Sequence, residues 1–231
     1  MIRILCPDCG KEVNYETFVK KRFCPNCGKY LQICSQSKSV QSIESLFKEA
    51  FRLWNERLPN ESPKIGSPTY DHFQKLGKAI GDQAINVYGG LRVKASVGMM
   101  GRWSEIPWIG LRNPYLTDNF QEGEYIVYLL SPVYNALYLG IIQGITKLTP
   151  DQLAERTPRL RREIAKPDGF VVGLEGHLAV NSPYNSKPYK YELGLLYSKQ
   201  YDMQKLPAEE ILLSDLKTAL SSYREYVNKN V

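Results

Sequence analysis

Apolar residues first recur at helical spacing between positions 40 and 58. Val40, Ile43, Phe47, Ala50, Phe51, Trp54 and Leu58 fall three or four apart, which predicts one helix with a single buried face. Trp54 sits in that stripe and is expected to be structural. A Pro/Gly/Ser-rich loop (59–68) separates it from a second, weaker helical pattern over 70–85, with Phe73, Leu76 and Ile80 on one side. The period then changes. Tyr88-Gly89-Gly90 turns the chain into a strand over 91–97. Residues 124–130 are β-branched, aromatic and almost wholly apolar, which predicts a strand buried on both faces. Turn chemistry at 132–135 leads into a return strand, 136–143, so a central hairpin is expected. Thr149-Pro150-Asp151-Gln152 carries a threonine N-cap, a proline at N1 and the glutamine of a capping box. Thr157-Pro158 is expected to restart that helix. Residues 169–174 and 193–197 read as strands, and 181–190 as a polar, aromatic loop. A terminal helix over 207–227 buries Leu212, Leu216, Leu220, Tyr223 and Val227.

Residues 1–34 follow another logic. Cys6-Pro7-Asp8-Cys9-Gly10 and Cys24-Pro25-Asn26-Cys27-Gly28 are two copies of C-P-x-C-G. Each C-x-x-C with its trailing glycine makes a tight knuckle whose two sulfurs converge on one ion, and two knuckles complete a tetrahedral four-thiolate site for Zn2+. A zinc ribbon is predicted over 1–34, with room for a short hairpin over 12–23. Two unrelated redox pairs are the alternative. So short a unit cannot hold a core without the metal, which gives the zinc a structural role. Cys34 is left over. Residues 35–42 (SQSKSVQS) read as a linker, so the larger domain spans 35–231.

With 231 residues the chain has room for one sizeable domain beside that module. A hydrophobic content of 43% argues against wholesale disorder. The net charge of +6 permits a nucleic-acid partner without demanding one. The most apolar stretch, 126–142, is broken by Ser131-Pro132 and Asn135, so no membrane span is expected, and residues 1–10 lack the apolar run of a signal peptide. A cytoplasmic location is the resulting expectation. No P-loop motif occurs, and no G-x-G-x-x-G follows a strand. His72 and His177 lie far apart, outside any metal or nucleophile motif. Asp168 and Glu175 lack the lysine that a carboxylate-metal nuclease site would need, so no catalysis is expected of this chain.

Two stretches could meet a ligand. Residues 94–111 (KASVGMMGRWSEIPWIGL) run from a strand through a glycine turn to two tryptophans, the composition of a pocket wall or of a core corner. Residues 156–162 (RTPRLRR) hold four arginines and no acid. On a helix Arg159 and Arg162 share a face, with Leu160 and Ile164 turned inward. That face is either a phosphate contact or a solvated surface.

Ser96-Val97-Gly98, Gly101-Arg102-Trp103 and Ile106-Pro107-Trp108-Ile109 come in a fixed order with 123–129 (GEYIVYL), Val133-Tyr134, Gln143-Gly144, Tyr191-Glu192, 198–202 (SKQYD), Leu206-Pro207 and Asp215-Leu216. In these motifs residues 40–231 resemble the McrB-type DNA-binding domain, the N-terminal module of many modification-dependent (type IV) restriction subunits. The resemblance implies an α+β fold: a PUA/EVE/YTH-like β-barrel with flanking helices, here preceded by the ribbon. It also implies an aromatic pocket that takes a modified base flipped out of duplex DNA. Trp103, Trp108 and Tyr128 would stack the base, and Ser96 and the Gly98 backbone would bond its edge. Lys94, Arg102, Arg159, Arg161 and Arg162 would meet phosphate. Trp103 is expected on the ligand side and Pro107-Trp108 on the scaffold side. Expected partners are duplex DNA and a separate NTPase or nuclease subunit. An RNA-binding module of the same barrel class is the alternative, and a targeting subunit with its own nuclease activity a lesser one.

Overall fold

The computed structural model describes Ile4–Leu5, Glu12–Val13 and residues 41–231 except 175 and 179–182, with only the backbone of Met99. The chain divides into two units, 1–40 and 41–231. In the first, strand β1 (Ile4–Leu5) pairs antiparallel with β2 (Glu12–Val13), Ile4 opposite Val13. The pair brackets the first C-P-x-C-G in sequence. Cys6, Cys9, Cys24, Cys27 and Cys34 lie outside the described residues, as does the rest of the hairpin expected over 12–23.

The second unit is built on a six-stranded antiparallel sheet. Its strands are β3 (Arg92–Met99), β4 (Arg102–Arg112), β5 (Glu124–Ser131), β6 (Ala136–Gln143), β7 (Val171–Val172) and β8 (Leu195–Asp202), in the order β3-β4-β5-β6-β8-β7. The apolar runs of β5 and β6 form the central hairpin and are buried along their whole length, because both faces of the sheet are covered.

Three helices cover one face: α1 (Ile43–Glu56), α2 (Pro68–Ile85) and α5 (Glu209–Asn230). The stripe Ile43, Leu46, Phe47, Ala50 and Trp54 meets Ala95, Val97, Ile109, Leu111, Ile126 and Tyr128 in one core cluster. Burying each large side chain there contributes roughly 1.5–3 kcal/mol. Gly77 and Gly81 let α2 ride close on β3: a Cβ at Gly81 would lie 2.8 Å from Val93, and one at Gly77 3.1 Å from Ala95. On the opposite face α3 (Pro150–Glu163) and α4 (Lys187–Gly194) pack over Ile106, Tyr125, Val127, Leu129, Tyr138, Ile142 and Leu195.

The sheet is not closed into a barrel, contrary to the expected PUA/EVE-like form. Its edges β3 and β7 do not pair with each other among the described residues, and β7 is only two residues long. Three local expectations also change. Residues 102–112, a stretch given no element of its own from the sequence, form a strand. Residues 187–194, read as loop and strand, are a helix capped by Ser186. Helix α3 runs unbroken through Pro158, with both halves of the Thr149/Gln152 capping box in place.

Candidate functional site

Among the described residues, the second face of the sheet is incompletely covered at its β3–β4 end. There the register sets Ser96 opposite Trp108, Lys94 opposite Gly110, and Arg92 opposite Arg112. Side chains alternate along a strand, so Arg92, Lys94, Ser96, Trp108 and Arg112 share this face, while Ala95, Val97, Ile109 and Leu111 point into the helix-covered core. The register slips between Ser96 and Gly98. Gly98 has φ +135°, and a Cβ there would strike the Arg102 carbonyl. Pro107, which has no N–H to give, falls within this irregular stretch of β4.

Two clefts lie side by side on this face. One, of about 670 Å³, is lined by Ser96, Gly98, Arg102, Trp103, Ser104, Glu105, Ile106 and Trp108 from the strands, by Met100 from the turn between them, and by Ser186, Lys187 and Tyr191 at α4. The other, of about 520 Å³, is lined by Arg92, Lys94, Arg112, Phe120, Tyr125 and Thr146 among others. Ser96, Trp108, Lys187 and Tyr191 line both. The volumes fall within the range of small-molecule sites.

Trp108 is half-buried, and its ring packs on Phe120 at 5.3 Å between centroids. Phe120 stands edge-on to Tyr125 at 5.1 Å and lies above Gly110, where a Cβ would come within 2.6 Å of its ring. Glycine at 110 is therefore what makes room for the Phe120 wall. Tyr191 is 7% exposed and Tyr125 is 2% exposed, yet neither hydroxyl has a hydrogen-bond partner among the described residues. Burial pushes both hydroxyls above their ordinary titration range. They stay protonated, able to donate and to accept.

Trp103 is placed differently from Trp108. It borders the larger cleft, but its Nε1–H donates to the Glu61 carbonyl at 3.0 Å and its ring meets Trp54 edge-on at 5.4 Å. The Arg57 guanidinium lies over both indoles, 4.4 Å from Trp54 and 5.4 Å from Trp103. Packing thus reverses the expected division: Trp103 anchors the β3–β4 hairpin to the α1–α2 loop, and Trp108 faces the cleft. Tyr128 is corrected outright. It is 1% exposed, packed on Phe47 within the helix-covered core, and cannot reach a ligand.

The four arginines of α3 also divide. Arg156 bonds Glu124, which is buried, at 2.8 Å; Tyr226 donates to the other carboxylate oxygen at 3.0 Å. Arg161 donates to the carbonyls of Leu195 and Leu196, and burial lowers its pKa. It serves as a clasp between α3 and β8, contrary to the expected phosphate role. Arg159 and Arg162 are exposed on one face, Arg159 within 3.5 Å of Glu163. Lys94, Arg102 and Arg162 are exposed and in no ion pair among the described residues.

Several motif residues prove architectural. Asp215 accepts from Lys199 Nζ at 2.7 Å and from Tyr201 at 2.8 Å, tying 198–202 to α5. Gly144 N–H donates to Gly123 O at 2.6 Å. His72 lies 2.9 Å from the Leu46 carbonyl, and His177 faces Glu192 at 3.8 Å. Among the described residues no three His, Cys, Asp or Glu side chains gather to hold a metal. No helix is long and apolar enough to cross a membrane.

Sequence reasoning missed Tyr191, Tyr125, Phe120, Arg92, Arg112 and Lys187 as cleft residues. The Ser186-Lys187-Pro188 helix start was the one signal that would have placed Tyr191 on a helix. The family described as "MrcB-like, N-terminal domain" matches residues 54–228. No curated protein matches the chain.

Proposed function

The chain belongs to the MrcB-like N-terminal domain family, and from that membership we propose that it is a DNA-binding specificity module of a type IV restriction system, reading a modified base flipped out of the duplex. One observation carries the reading. Trp108 and the buried Tyr191, whose hydroxyl has no partner among the described residues, border a cleft of nucleobase-site size whose lining includes Arg102 and Lys187, neither of them ion-paired among the described residues. An extruded base would stack on Trp108, and Tyr191, Ser96 and the backbone at Gly98 would read its edge. Arg102, Arg159 and Arg162 would hold the flanking duplex through phosphate contacts. Trp103 would support the hairpin from behind.

The module acts without catalysis of its own. The reading rests on the missing P-loop motif and on two histidines engaged in separate local contacts. Cleavage would then fall to a separate NTPase or nuclease subunit. The four thiols Cys6, Cys9, Cys24 and Cys27 are a donor set that suits Zn2+, and the pairing of β1 with β2, which flank the first C-P-x-C-G in sequence, accords with a ribbon. The metal would supply folding energy there and no chemistry.

The test is a binding series, at stated salt, with duplexes carrying cytosine, adenine or their methylated forms. Tighter binding to one methylated duplex is expected. Equal affinity for all duplexes would remove base reading, and preference for RNA of the same sequence would move the module to RNA. Specific cleavage of methylated plasmid by the pure protein with magnesium would make it a nuclease.

A further inference from the structure

The smaller cleft carries more like charge than structure alone requires. Arg92 and Arg112 are direct cross-strand partners in the β3–β4 register, and Lys94 follows on the same face. Like charges set opposite each other in a sheet repel. Lys187 adds a fourth cation from α4, against one lining carboxylate, Asp118. Arg92, Lys94 and Lys187 are exposed and form no ion pair or side-chain hydrogen bond among the described residues. Arg112 donates to the Thr117 carbonyl and stacks 5.6 Å from the Phe120 ring centroid, while its buried Nε has no partner. Repulsion of this kind is relieved when an anion sits between the cations.

We propose that Arg92, Lys94, Arg112 and Lys187 form a phosphate-binding subsite beside Trp108, which takes the backbone phosphodiester of the strand whose base enters the neighbouring cleft. The assignment of the anion to a DNA backbone rests on the function proposed above. The geometry agrees with it. Lys94 lies two residues from Ser96, about 7 Å of extended strand, and Arg92 about 7 Å further. Ser96, Trp108, Lys187 and Tyr191 are shared by the two clefts, so a base and a phosphate of one strand meet a continuous surface. Arg112 also braces the 113–123 loop and is left unaltered in the test.

The test compares the full chain with its Arg92→Gln/Lys94→Gln variant in two assays. The first measures thermal melting in inorganic phosphate against chloride at equal ionic strength. Phosphate is expected to raise the melting temperature of the wild type more than that of the variant. An equal rise in both would be a bulk solvent effect and would overturn the subsite. The second measures duplex affinity against salt. Losing two phosphate contacts is expected to reduce the slope of log K against log salt by about 2. A differential phosphate effect with an unchanged slope would overturn the backbone assignment and leave a site for a free phosphate. Should no duplex bind, the proposed function fails while the melting assay still decides the subsite.

Discussion

Replacing Arg156 with glutamine separates the structural arginines of α3 from its solvent-facing ones. Glu124 opens β5 with its side chain 3% exposed, and its charge is met by Arg156 Nη2 and the Tyr226 hydroxyl. Its own carbonyl accepts from Tyr223, whose oxygen in turn accepts from the Asn113 N–H at 2.9 Å. The network therefore joins β5, α3, α5 and the loop after β4. Removing one partner of a fully buried pair costs about 3–5 kcal/mol. Here Arg156 is 39% exposed and Tyr226 remains, so solvent screening lowers the expected loss to about 2–3 kcal/mol. For a domain of this size that is a fall in melting temperature of about 4–12 °C. Arg162→Gln is expected to leave melting unchanged and to lower the salt slope of duplex binding by about 1. Circular dichroism melts and fluorescence anisotropy on the two variants make the comparison. A shift below about 1 °C for Arg156→Gln would refute the buried-pair argument, as would a loss of stability as large for Arg162→Gln.

Three further outcomes follow from the geometry. Trp108→Ala should weaken binding to the preferred duplex by the loss of about 1–3 kcal/mol of stacking, roughly 5- to 150-fold, measured well below the melting temperature of the variant; unchanged affinity in a titration would take Trp108 out of the pocket. Trp103→Ala should instead cost about 2–4 kcal/mol of stability, since it empties the space beside Trp54 and leaves the Glu61 carbonyl without its donor. A wild-type midpoint in urea would contradict that anchoring role. Metal analysis of the purified chain should find one zinc per molecule, lost on Cys24→Ser; a metal-free wild type would dismiss the ribbon.

What was legible in the sequence was whatever depends on spacing alone. The stripe from Ile43 to Trp54, the apolar hairpin of β5 and β6, and the Thr149/Gln152 cap all express a local period or a local bond. Each appears in the structure where the pattern puts it. Strand β4 was hidden because a glycine, a proline and two tryptophans mask its alternation; only pairing on both sides with β3 and β5 makes it a strand. Helix α4 was hidden by its polar, proline-bearing start, and Tyr191 was hidden with it.

The residue types of the cleft and the cations around it were determined by the sequence itself, together with the paired C-P-x-C-G motifs. Which residue does what was decided by tertiary structure alone. Trp103 and Trp108 stand five positions apart with similar surroundings in the chain, yet one meets Trp54 and Glu61 while the other meets Phe120 and an open cleft. Arg156 and Arg162 differ likewise, one facing a buried carboxylate and the other solvent. The physical reason is common to both pairs. An indole or a guanidinium can spend its hydrogen bonds and its faces on the fold or on a ligand, and only the partners brought to it from distant parts of the chain determine which.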